Sequence, residues 1–226
     1  MPIALVTGAS RGIGRAIALR LAPTHDIVAA ARSRDELASL RGEIEQGGGR
    51  CRTIELDVAD PDAVARALDG VEADVLVNNA GVATMKPFLE LTPAQWRAMV
   101  DVNVNALYHV TRAVLPGMTE RGRGDVVIVG SLAGRNTFKG GSCYAGTKHF
   151  VLGFAESLML EVRDAGVRVA VVMPGSVGTD LFPPGTDTSW MLTPEQVAES
   201  VAHIVEAPRG VLVGRLEVRP ARPTKH

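Results

Sequence analysis

A tyrosine and a lysine, Tyr144 and Lys148, stand four positions apart at the start of a stretch whose pattern is typical of a helix. Residues with this spacing lie on the same face of a helix, so the two side chains can act together. A free tyrosine titrates at about pH 10, and a neighbouring ammonium favours the phenolate. The pair is therefore predicted to supply a general acid or base that works nearer neutral pH.

A hydroxyl that could assist this chemistry, Ser131, directly follows the apolar run 125–130. The run predicts a strand, and ligands of open α/β sheets bind outside the carboxyl ends of the strands. Ser131 is therefore predicted to polarise a substrate carbonyl. The alternative is a serine that hydrogen-bonds only to the backbone at the end of a strand.

Three glycines, Gly8, Gly12 and Gly14, lie in the segment 7–14, which closes the first apolar run and opens a helical pattern. Glycine permits a tight turn, and the N-terminus of a helix offers free N–H groups to an anion. The segment is therefore predicted to bind the pyrophosphate of a dinucleotide. The alternative is that the glycines serve only the turn. The other predicted contacts in this segment are Ser10, Arg11 and Ile13.

The tip of the second predicted strand bears on the choice of dinucleotide. An acid at this point holds the 2′-hydroxyl of NAD, whereas arginine suits the 2′-phosphate of NADP. Ala31 occupies the position where the acid is expected, Arg32 follows it, and Arg11 could share the phosphate. We therefore predict NADP in preference to NAD. The alternative is that both arginines are solvated surface charges.

Short apolar runs alternate with longer helical patterns along the chain. Several runs lack alternation of polar and apolar residues, so both faces of their sheet should be covered. This predicts an α/β fold, a Rossmann-like doubly wound parallel sheet of about seven strands in a three-layer α/β/α sandwich, as a single domain over residues 1–226. Thr92 and Thr193, each followed by proline and by glutamine at the third position, predict helix starts. The predicted strands are 3–7, 26–31, 51–56, 74–77, 125–130, 167–173 and 211–218.

Composition and charge argue against several classes of protein. The 24 basic and 25 acidic residues give a net charge of -1, which supplies no basic field for nucleic acid. No apolar run approaches the ~18 residues of a membrane span. The two cysteines are too few for a disulfide framework or a zinc site, and Cys143 is interpreted as a packing residue rather than a redox sensor. Segment 1–8 is unlike a signal peptide, so we expect a cytoplasmic protein without a metal.

Together these motifs resemble the short-chain dehydrogenase/reductase family, in the compact single-domain branch with its Gly-x-x-x-Gly-x-Gly spacing. The resemblance covers nearly all of the chain, and its motifs follow the order and the approximate spacing of the family. They are the segment 7–14, Asp57-Val58, Asn78-Asn79-Ala80-Gly81, Asn103, Ser131, Tyr144, Lys148 and Pro174 through Thr179.

The resemblance implies a role for each catalytic residue. Tyr144 would be the acid/base, Lys148 would lower its pKa and bind the nicotinamide ribose, and Ser131 would hydrogen-bond the substrate oxygen. Asn103 would anchor a water molecule on the proton relay, with Asn105 as a nearby alternative.

The resemblance also implies contacts to the dinucleotide. Asp57, followed by Val58, would contact the adenine, and Thr179 would contact the nicotinamide carboxamide. The remaining implied contacts are Asn79, Ala80 and Gly81 on the adenine-ribose side, and Pro174, Gly175 and Val177 before the threonine.

The substrate region departs from the family pattern. Residues 180–192 form a short substrate segment, which argues against a deep recognition site, and residues 213–223 replace the glycine-rich tail of many relatives. The side chains predicted to face the substrate are apolar and suggest a hydrophobic ketone or aldehyde. They are Val82, Leu132, Phe138, Phe182 and Trp190, beside Ser131.

These inferences predict an NADP(H)-dependent oxidoreductase that interconverts a carbonyl, in a ketone or an aldehyde, and an alcohol. A 3-oxoacyl carrier-protein reductase shares every catalytic motif and stays open as an alternative. A catalytically silent NADP(H)-binding redox sensor is a second alternative, against which the intact Ser131, Tyr144 and Lys148 count.

A homodimer or homotetramer is also predicted, built from helices near 94–118 and 143–163, which relatives commonly pair across a two-fold axis. The second helix carries an apolar stripe broader than packing on one sheet requires. The alternative is that the whole stripe belongs to the core. Its members are Phe150, Val151, Phe154, Ala155, Leu158 and Val162.

Overall fold

The computed structural model describes residues 1–183 and 185–222. Seven strands form one sheet in the order β3-β2-β1-β4-β5-β6-β7, and every adjacent pair is parallel. The strands are β1 Ile3–Thr7, β2 Asp26–Ala31, β3 Cys51–Glu55, β4 Val75–Asn78, β5 Gly124–Val129, β6 Val167–Pro174 and β7 Arg215–Val218. The helices are α1 Gly12–Leu21, α2 Arg34–Gln46, α3 Pro61–Leu68, α4 Pro93–Val100, α5 Ala106–Glu120, α6 Ser142–Val162 and α7 Pro194–Val205.

The predicted doubly wound sheet is confirmed. The order of strands reverses between β1 and β4, so the carboxyl ends of these two strands flank the crevice where such sheets bind ligands. The last strand is shorter than predicted, because it begins at Arg215 rather than at residue 211. Val211 instead closes a turn through a hydrogen bond from its N–H to the carbonyl of Pro208, and its own carbonyl accepts from Arg168.

Helices cover both faces of the sheet, as the apolar strands predicted. Residues of β1 alternate between the two cores: Val6 packs with α1, α2 and α7, whereas Leu5 packs with α3, α5 and α6. Leu5 and Val6 are fully buried. Full burial of one such aliphatic side chain contributes about 1.5–3 kcal/mol, so the two cores hold the sheet rigidly beneath its carboxyl edge.

The two predicted helix starts are confirmed. The side chains of Thr92 and Thr193 each accept a hydrogen bond from the N–H of the third residue of their helix, and the side-chain oxygen of the glutamine there accepts one from the threonine N–H. One π-helical turn, Asp101–Asn105, joins α4 to α5. In the part of the chain that the structure covers, no helix has both the length and the apolar character needed to cross a membrane.

Arg168, on β6, organises the edge of the sheet opposite the site. Its guanidinium pairs with the buried carboxylate of Asp125 at the start of β5. The remaining donors of the guanidinium bond to backbone carbonyls at and after the end of α7, which fixes the connection to β7. The carbonyls belong to Val205, Ala207, Pro208 and Val211.

Candidate active site

The glycine loop, residues 8–14, turns the chain from β1 into α1 as predicted. Gly8 and Gly12 have φ angles of 64° and 53°, a region that side chains disfavour. Gly14 is needed for space: a Cβ there would lie 2.2 Å from the carbonyl oxygen of Gly8. The loop therefore requires glycine at each of its three motif positions, for two different physical reasons.

The N-terminus of α1 fits an anion. Helices α3, α4 and α7 begin with side chains that accept hydrogen bonds from their first turns. No side chain of the described residues caps α1 in this way, and its first turn contains no acid. The first N–H groups of α1, at Gly12, Ile13 and Gly14, are thus suited to the pyrophosphate of a dinucleotide.

Asn79 and Thr7 tie the glycine loop to the end of β4. The Asn79 amide donates to the carbonyls of Thr7, at 2.9 Å, and Gly8, at 3.2 Å. The Thr7 hydroxyl accepts from the N–H groups of Asn79 and Ala80, at 3.0 and 3.2 Å, and lies 3.3 Å from the carbonyl of Val77. The sequence analysis did not assign Thr7, although a threonine that ends an apolar strand at the glycine loop was the available signal.

The two arginines predicted for the 2′-phosphate lie in different surroundings. Arg32 is exposed at the end of β2 and forms no ion pair within residues 1–183 and 185–222. Arg11 is paired with Asp180, whose Oδ2 lies 3.2 Å from its Nη1. Among the described residues, the guanidinium of Arg32 is therefore free to bind a phosphate. The guanidinium of Arg11 is already bound to the carboxylate of Asp180, a pairing that was not predicted from the sequence. Ser10, beside Arg11, is half-buried.

Asp57 and Val58 follow β3 on the adenine side of the site. Asp57 is exposed, and its Oδ1 accepts a hydrogen bond from the N–H of Ala59, which fixes the turn. Val58 is buried and lines a small cavity. The turn thus leaves the carboxylate of Asp57, the predicted adenine contact, at the surface.

Tyr144 and Lys148 lie on the first turns of α6. The Lys148 Nζ is 5.9 Å from the centroid of the tyrosine ring and donates to the carbonyl of Val129 at 3.0 Å. Lys148 is 7% exposed, and burial lowers its pKa to about 8. The helix therefore brings the two side chains to one face, as their spacing predicted.

The pKa of Tyr144 moves against the prediction. Burial of the ring and hydroxyl raises the pKa, and hydrogen bonding with Ser131 opposes this change and lowers it. The ammonium of Lys148 is directed to the carbonyl of Val129 instead of the phenol oxygen. In this structure, desolvation outweighs the attraction that was expected to favour the phenolate.

Ser131 has the backbone role that was given as the alternative, and this role leaves the hydroxyl beside Tyr144. Its backbone is extended, and its Oγ accepts a hydrogen bond from the N–H of Ala133 at 3.1 Å, which caps the short turn Leu132–Gly134. The hydroxyl also hydrogen-bonds with Tyr144, which lowers the pKa of the tyrosine. Ser131 can therefore hold an oxygen atom beside Tyr144 while its own position is fixed by the backbone.

Asn103 lies in the π-helical turn and connects three parts of the site. Its amide donates to the carbonyl of Val82 at 2.9 Å and to the hydroxyl of Thr147 at 3.1 Å, and its Oδ1 accepts from the N–H of Val82. The Thr147 hydroxyl in turn donates to the carbonyl of Tyr144 at 2.8 Å. Asn105 bonds to the Asp101 side chain. Asn103 is therefore the better placed of the two asparagines, and Thr147 is a positioning residue that the sequence analysis missed.

A cavity of about 20 Å³ lies behind Lys148. Thr7, Asn78, Asn103 and Lys148 contribute polar groups to its wall, which is otherwise apolar. About 10–15 Å³ suffices for one water molecule that has two or more polar partners. The cavity therefore has the size and chemistry to hold one water molecule between Asn103 and the lysine.

The segment after β6, which was predicted to contact the nicotinamide, runs from the sheet to the glycine loop. Gly175 donates from its N–H to the carbonyl of Val218 at 2.8 Å, and Val177 pairs with Leu192 in a parallel bridge. A Cβ on Gly12 would lie 3.5 Å from the methyl of Thr179. Pro174 ends β6, so the predicted group from Pro174 to Thr179 reaches from the sheet to the glycine loop.

Gly81 lies close to the lysine, since a Cβ built there would be 3.9 Å from the Lys148 Nζ.

The predicted substrate residues lie on the loops above the site. Leu132 is half-buried, and Phe138 packs its ring over Gly141 and is 42% exposed. Phe182 and Trp190 are half-buried in the short segment after Thr179. The small cavity behind Lys148 is lined by none of these four side chains.

This combination defines a class of protein. A glycine loop at the switch point of a parallel sheet, with a serine, a tyrosine and a buried lysine at the neighbouring strand ends, is typical of a dinucleotide-binding oxidoreductase.

Comparisons with known proteins agree with this class. A family model described as short chain dehydrogenase matches residues 2–189. The chain is 35% identical to the NADP-dependent 3-hydroxy acid dehydrogenase YdfG of Salmonella typhi, over 96% of this chain and 94% of that protein. It is 36% identical to sulfoacetaldehyde reductase 2 of Chromohalobacter salexigens, over 97% and 94%. An alcohol dehydrogenase from the archaeon Thermococcus sibiricus, solved with 5-hydroxy-NADP, superposes with a TM-score of 0.92 at 30% identity, over 100% of both chains.

The chain belongs to the short-chain dehydrogenase/reductase family, which confirms the resemblance inferred from its motifs. It is therefore an oxidoreductase. The predicted cofactor agrees with the NADP that is named for the Salmonella dehydrogenase and the archaeal alcohol dehydrogenase.

Proposed function

We propose that this protein interconverts a carbonyl compound and an alcohol with NADP(H), and that Tyr144 is its acid/base. The observation that carries the proposal is the arrangement of three groups at one edge of the sheet: the hydroxyl of Ser131, the phenol of Tyr144 with which it hydrogen-bonds, and the buried ammonium of Lys148. All three face the crevice at the reversal of strand order, where the glycine loop would hold the dinucleotide.

Each group has a distinct task. NADPH, when bound, supplies the hydride. Ser131 donates a hydrogen bond to the carbonyl oxygen and so stabilises the negative charge that develops there. Tyr144 gives its proton to the same oxygen, and its raised pKa keeps this proton in place at neutral pH. In the oxidative direction the phenolate accepts the proton of the alcohol.

Lys148 and Asn103 serve the return of the proton. The lysine, whose pKa of about 8 lies near neutrality, can exchange a proton with solvent more readily than an ordinary lysine. The cavity beside it has room for one water molecule, and Asn103, which lines this cavity, is held in place by the hydrogen bond from its amide to the carbonyl of Val82. Asn103 is thus a positioning residue for the relay.

NADP is held at its 2′-phosphate by Arg32, with Arg11 as a second ligand. The free guanidinium of Arg32 at the end of β2 supports this assignment, and a short aliphatic residue, Ala31, occupies the place of the acid that would bind NAD. A guanidinium can donate two parallel hydrogen bonds to a phosphate, each stronger than a neutral bond.

The substrate is a small or medium-sized carbonyl compound. The short segment 180–192 and the open surface formed by Phe138, Phe182 and Trp190 support a shallow site. The names of two relatives indicate a 3-hydroxy acid and sulfoacetaldehyde as their substrates. The panel of carbonyl compounds to be assayed should therefore contain short anionic compounds as well as hydrophobic ketones. An acetoacetyl thioester tests the alternative of a 3-oxoacyl carrier-protein reductase.

Substitution of Tyr144 by phenylalanine tests the assignment. Tyr144→Phe should bind NADPH as the parent does, measured by the fluorescence of NADPH, and lose a factor of about 10²–10⁴ in turnover on the best substrate. The matched control is Tyr108→Phe, at a half-exposed tyrosine on α5, which should retain activity. Activity of Tyr144→Phe above about one percent of the parent would refute the assignment. Tight NADPH binding without oxidation across the panel would favour the silent redox sensor.

The protein forms a homodimer or homotetramer through α5 and α6. Of the six residues in the predicted stripe of α6, four are buried in the core, which supports the alternative for those four: Val151, Ala155, Leu158 and Val162. Phe150 is 42% exposed, whereas Phe154 is half-buried against the core, and their rings stack with centroids 5.9 Å apart. Tyr108 on α5 and Leu160 on α6 are more than half exposed and extend this apolar surface.

A further inference from the structure

Asp180 lies where the substrate segment leaves the glycine loop. Its Oδ2 is 3.2 Å from Nη1 of Arg11, the residue that precedes Gly12 at the N-terminus of α1. One of the two arginines assigned to the 2′-phosphate is therefore already paired with an acid of the same chain. The function proposed above gives this acid no role.

The backbone holds Asp180 at this place. The preceding residue, Thr179, packs its methyl against the position of Gly12, at 3.5 Å from a Cβ built there. The turn that begins at Thr179 is closed by hydrogen bonds to its carbonyl from the N–H of Phe182, at 3.2 Å, and to its hydroxyl from the N–H of Leu181, at 3.4 Å. The carboxylate thus stays close to Arg11 because the turn rests on the glycine loop.

The ion pair is weak enough to exchange. The side chains of Arg11 and Asp180 are 65% and 74% exposed. Exposed ion pairs contribute little, because water screens the charges and two flexible side chains must be ordered. A phosphate monoester carries a charge of about −1.5 to −2 at neutral pH, against one for a carboxylate, and its oxygens accept paired hydrogen bonds from a guanidinium. The 2′-phosphate is therefore the stronger partner for Arg11.

We propose that Asp180 competes with the 2′-phosphate of NADP(H) for Arg11, and so limits the affinity for NADP(H) without changing the affinity for NAD(H). Asp180 is then a specificity-determining residue that lowers the affinity for NADP(H), whereas the two arginines raise it. NAD(H), which lacks the 2′-phosphate, leaves the pair with Asp180 intact. The inference rests on the proposed role of Arg11 in holding the 2′-phosphate.

Dissociation constants of NADPH and NADH, measured by cofactor fluorescence in the intact protein, test the proposal. In Asp180→Asn, affinity for NADPH should rise about two- to fivefold, the range that an exposed ion pair supports, and affinity for NADH should stay unchanged. The matched control is Asp187→Asn, which removes the same charge from an exposed aspartate of the same segment whose carboxylate accepts from the N–H of Ser189. This control should change neither constant.

Arg11→Gln, alone and combined with Asp180→Asn, tests the role of Arg11 at the 2′-phosphate separately from that of Asp180. Arg11→Gln should weaken NADPH binding, and Asp180→Asn should then have no further effect. Equal changes for NADPH and NADH, the same gain in Asp187→Asn, or no gain in Asp180→Asn would each overturn the proposal for Asp180. Unchanged NADPH affinity in Arg11→Gln would also remove the arginine from the phosphate site, whereas the test of Tyr144 would still stand.

Discussion

Replacement of Gly14 by alanine isolates a steric requirement of the glycine loop. A Cβ at this position would lie 2.2 Å from the carbonyl oxygen of Gly8 and 2.5 Å from Nδ2 of Asn79. Ordinary contacts of this kind are about 3.5 Å, so the carbonyl or the helix must move by about 1 Å. Gly14 lies inside α1 and does not have a positive φ, so alanine meets no conformational obstacle there.

The size of the effect follows from opposing contributions. Overpacking costs about 1–3 kcal/mol, and displacement of the Gly8 carbonyl weakens the hydrogen bond from Asn79, which is worth about 1 kcal/mol. Alanine in place of glycine gains about 0.8–1 kcal/mol of helix propensity. We expect Gly14→Ala to lower the free energy of unfolding by about 2 kcal/mol and to weaken NADPH binding at least tenfold, because the loop that holds the pyrophosphate has moved.

The control for this experiment is Gly42→Ala in α2. No heavy atom lies within 4 Å of a Cβ built at Gly42, so only helix propensity acts there. Urea denaturation should show a gain of about 0.5–1 kcal/mol for Gly42→Ala. The steric reasoning is refuted if Gly14→Ala unfolds within about 0.5 kcal/mol of the parent and binds NADPH equally well.

Three further changes probe the fold and the assembly. Burial lowers the pKa of His25, so the unfolded chain takes up the proton at a higher pH than the folded protein does, and stability should fall as the pH drops below about 6.5. His25→Asn should make stability less dependent on pH in this range, measured by acid denaturation. Arg168→Met leaves the carboxylate of Asp125 buried without its main partner, and should lower the free energy of unfolding by about 3–5 kcal/mol in urea denaturation. Addition of Asp125→Asn to this variant should recover part of the loss. Phe154→Glu places a charge beside Phe150 and should yield monomers near 23.8 kDa by light scattering, whereas a parent that is itself monomeric would contradict the proposed assembly.

The sequence predicted the sheet well because the signals for its strands are local. Strand positions β1 to β6 depend on apolar runs bounded by glycines and polar residues, and their observed ends lie within one residue of the predicted ones. The start of β7 was wrong because its cause is distant in sequence. Val211 is apolar and suits a strand, yet Arg168 takes its carbonyl and the turn at Pro208 takes its N–H.

The same difference between local and distant signals decides which features of the site could be predicted. The spacing of Tyr144 and Lys148 placed them together, because helix geometry alone decides that contact. The partner of Arg11 could not be predicted, since Asp180 is 169 residues away in the chain and reaches it only after the whole sheet has formed. Thr7 and Thr147 were missed for a related reason: each accepts a hydrogen bond from a distant segment, Thr7 from the N–H of Asn79 and Thr147 from the amide of Asn103.

Burial acts on the catalytic pair in a way that spacing alone does not predict. It raises the pKa of Tyr144 and lowers that of Lys148 to about 8, since it disfavours the charged form of each group. In this structure the lysine therefore loses its proton at a lower pH than the tyrosine does. The sequence predicted an ammonium that favours the phenolate and brings the acid/base nearer neutral pH, whereas burial moves the pKa of Tyr144 upward.

This order of titration predicts a difference between the two directions of the reaction. Reduction needs the protonated phenol, and burial raises the pKa of Tyr144 above its ordinary value of about 10, so the rate at saturating NADPH should be level from about pH 6 to about pH 9. Oxidation needs a group that accepts the proton of the alcohol, so its rate should rise above about pH 8, where Lys148 begins to lose its proton. Both profiles can be measured on one substrate pair with either form of the cofactor saturating. An oxidation rate that is already level at about pH 7 would show that the phenolate forms at neutral pH, and that attraction to the ammonium outweighs burial after all.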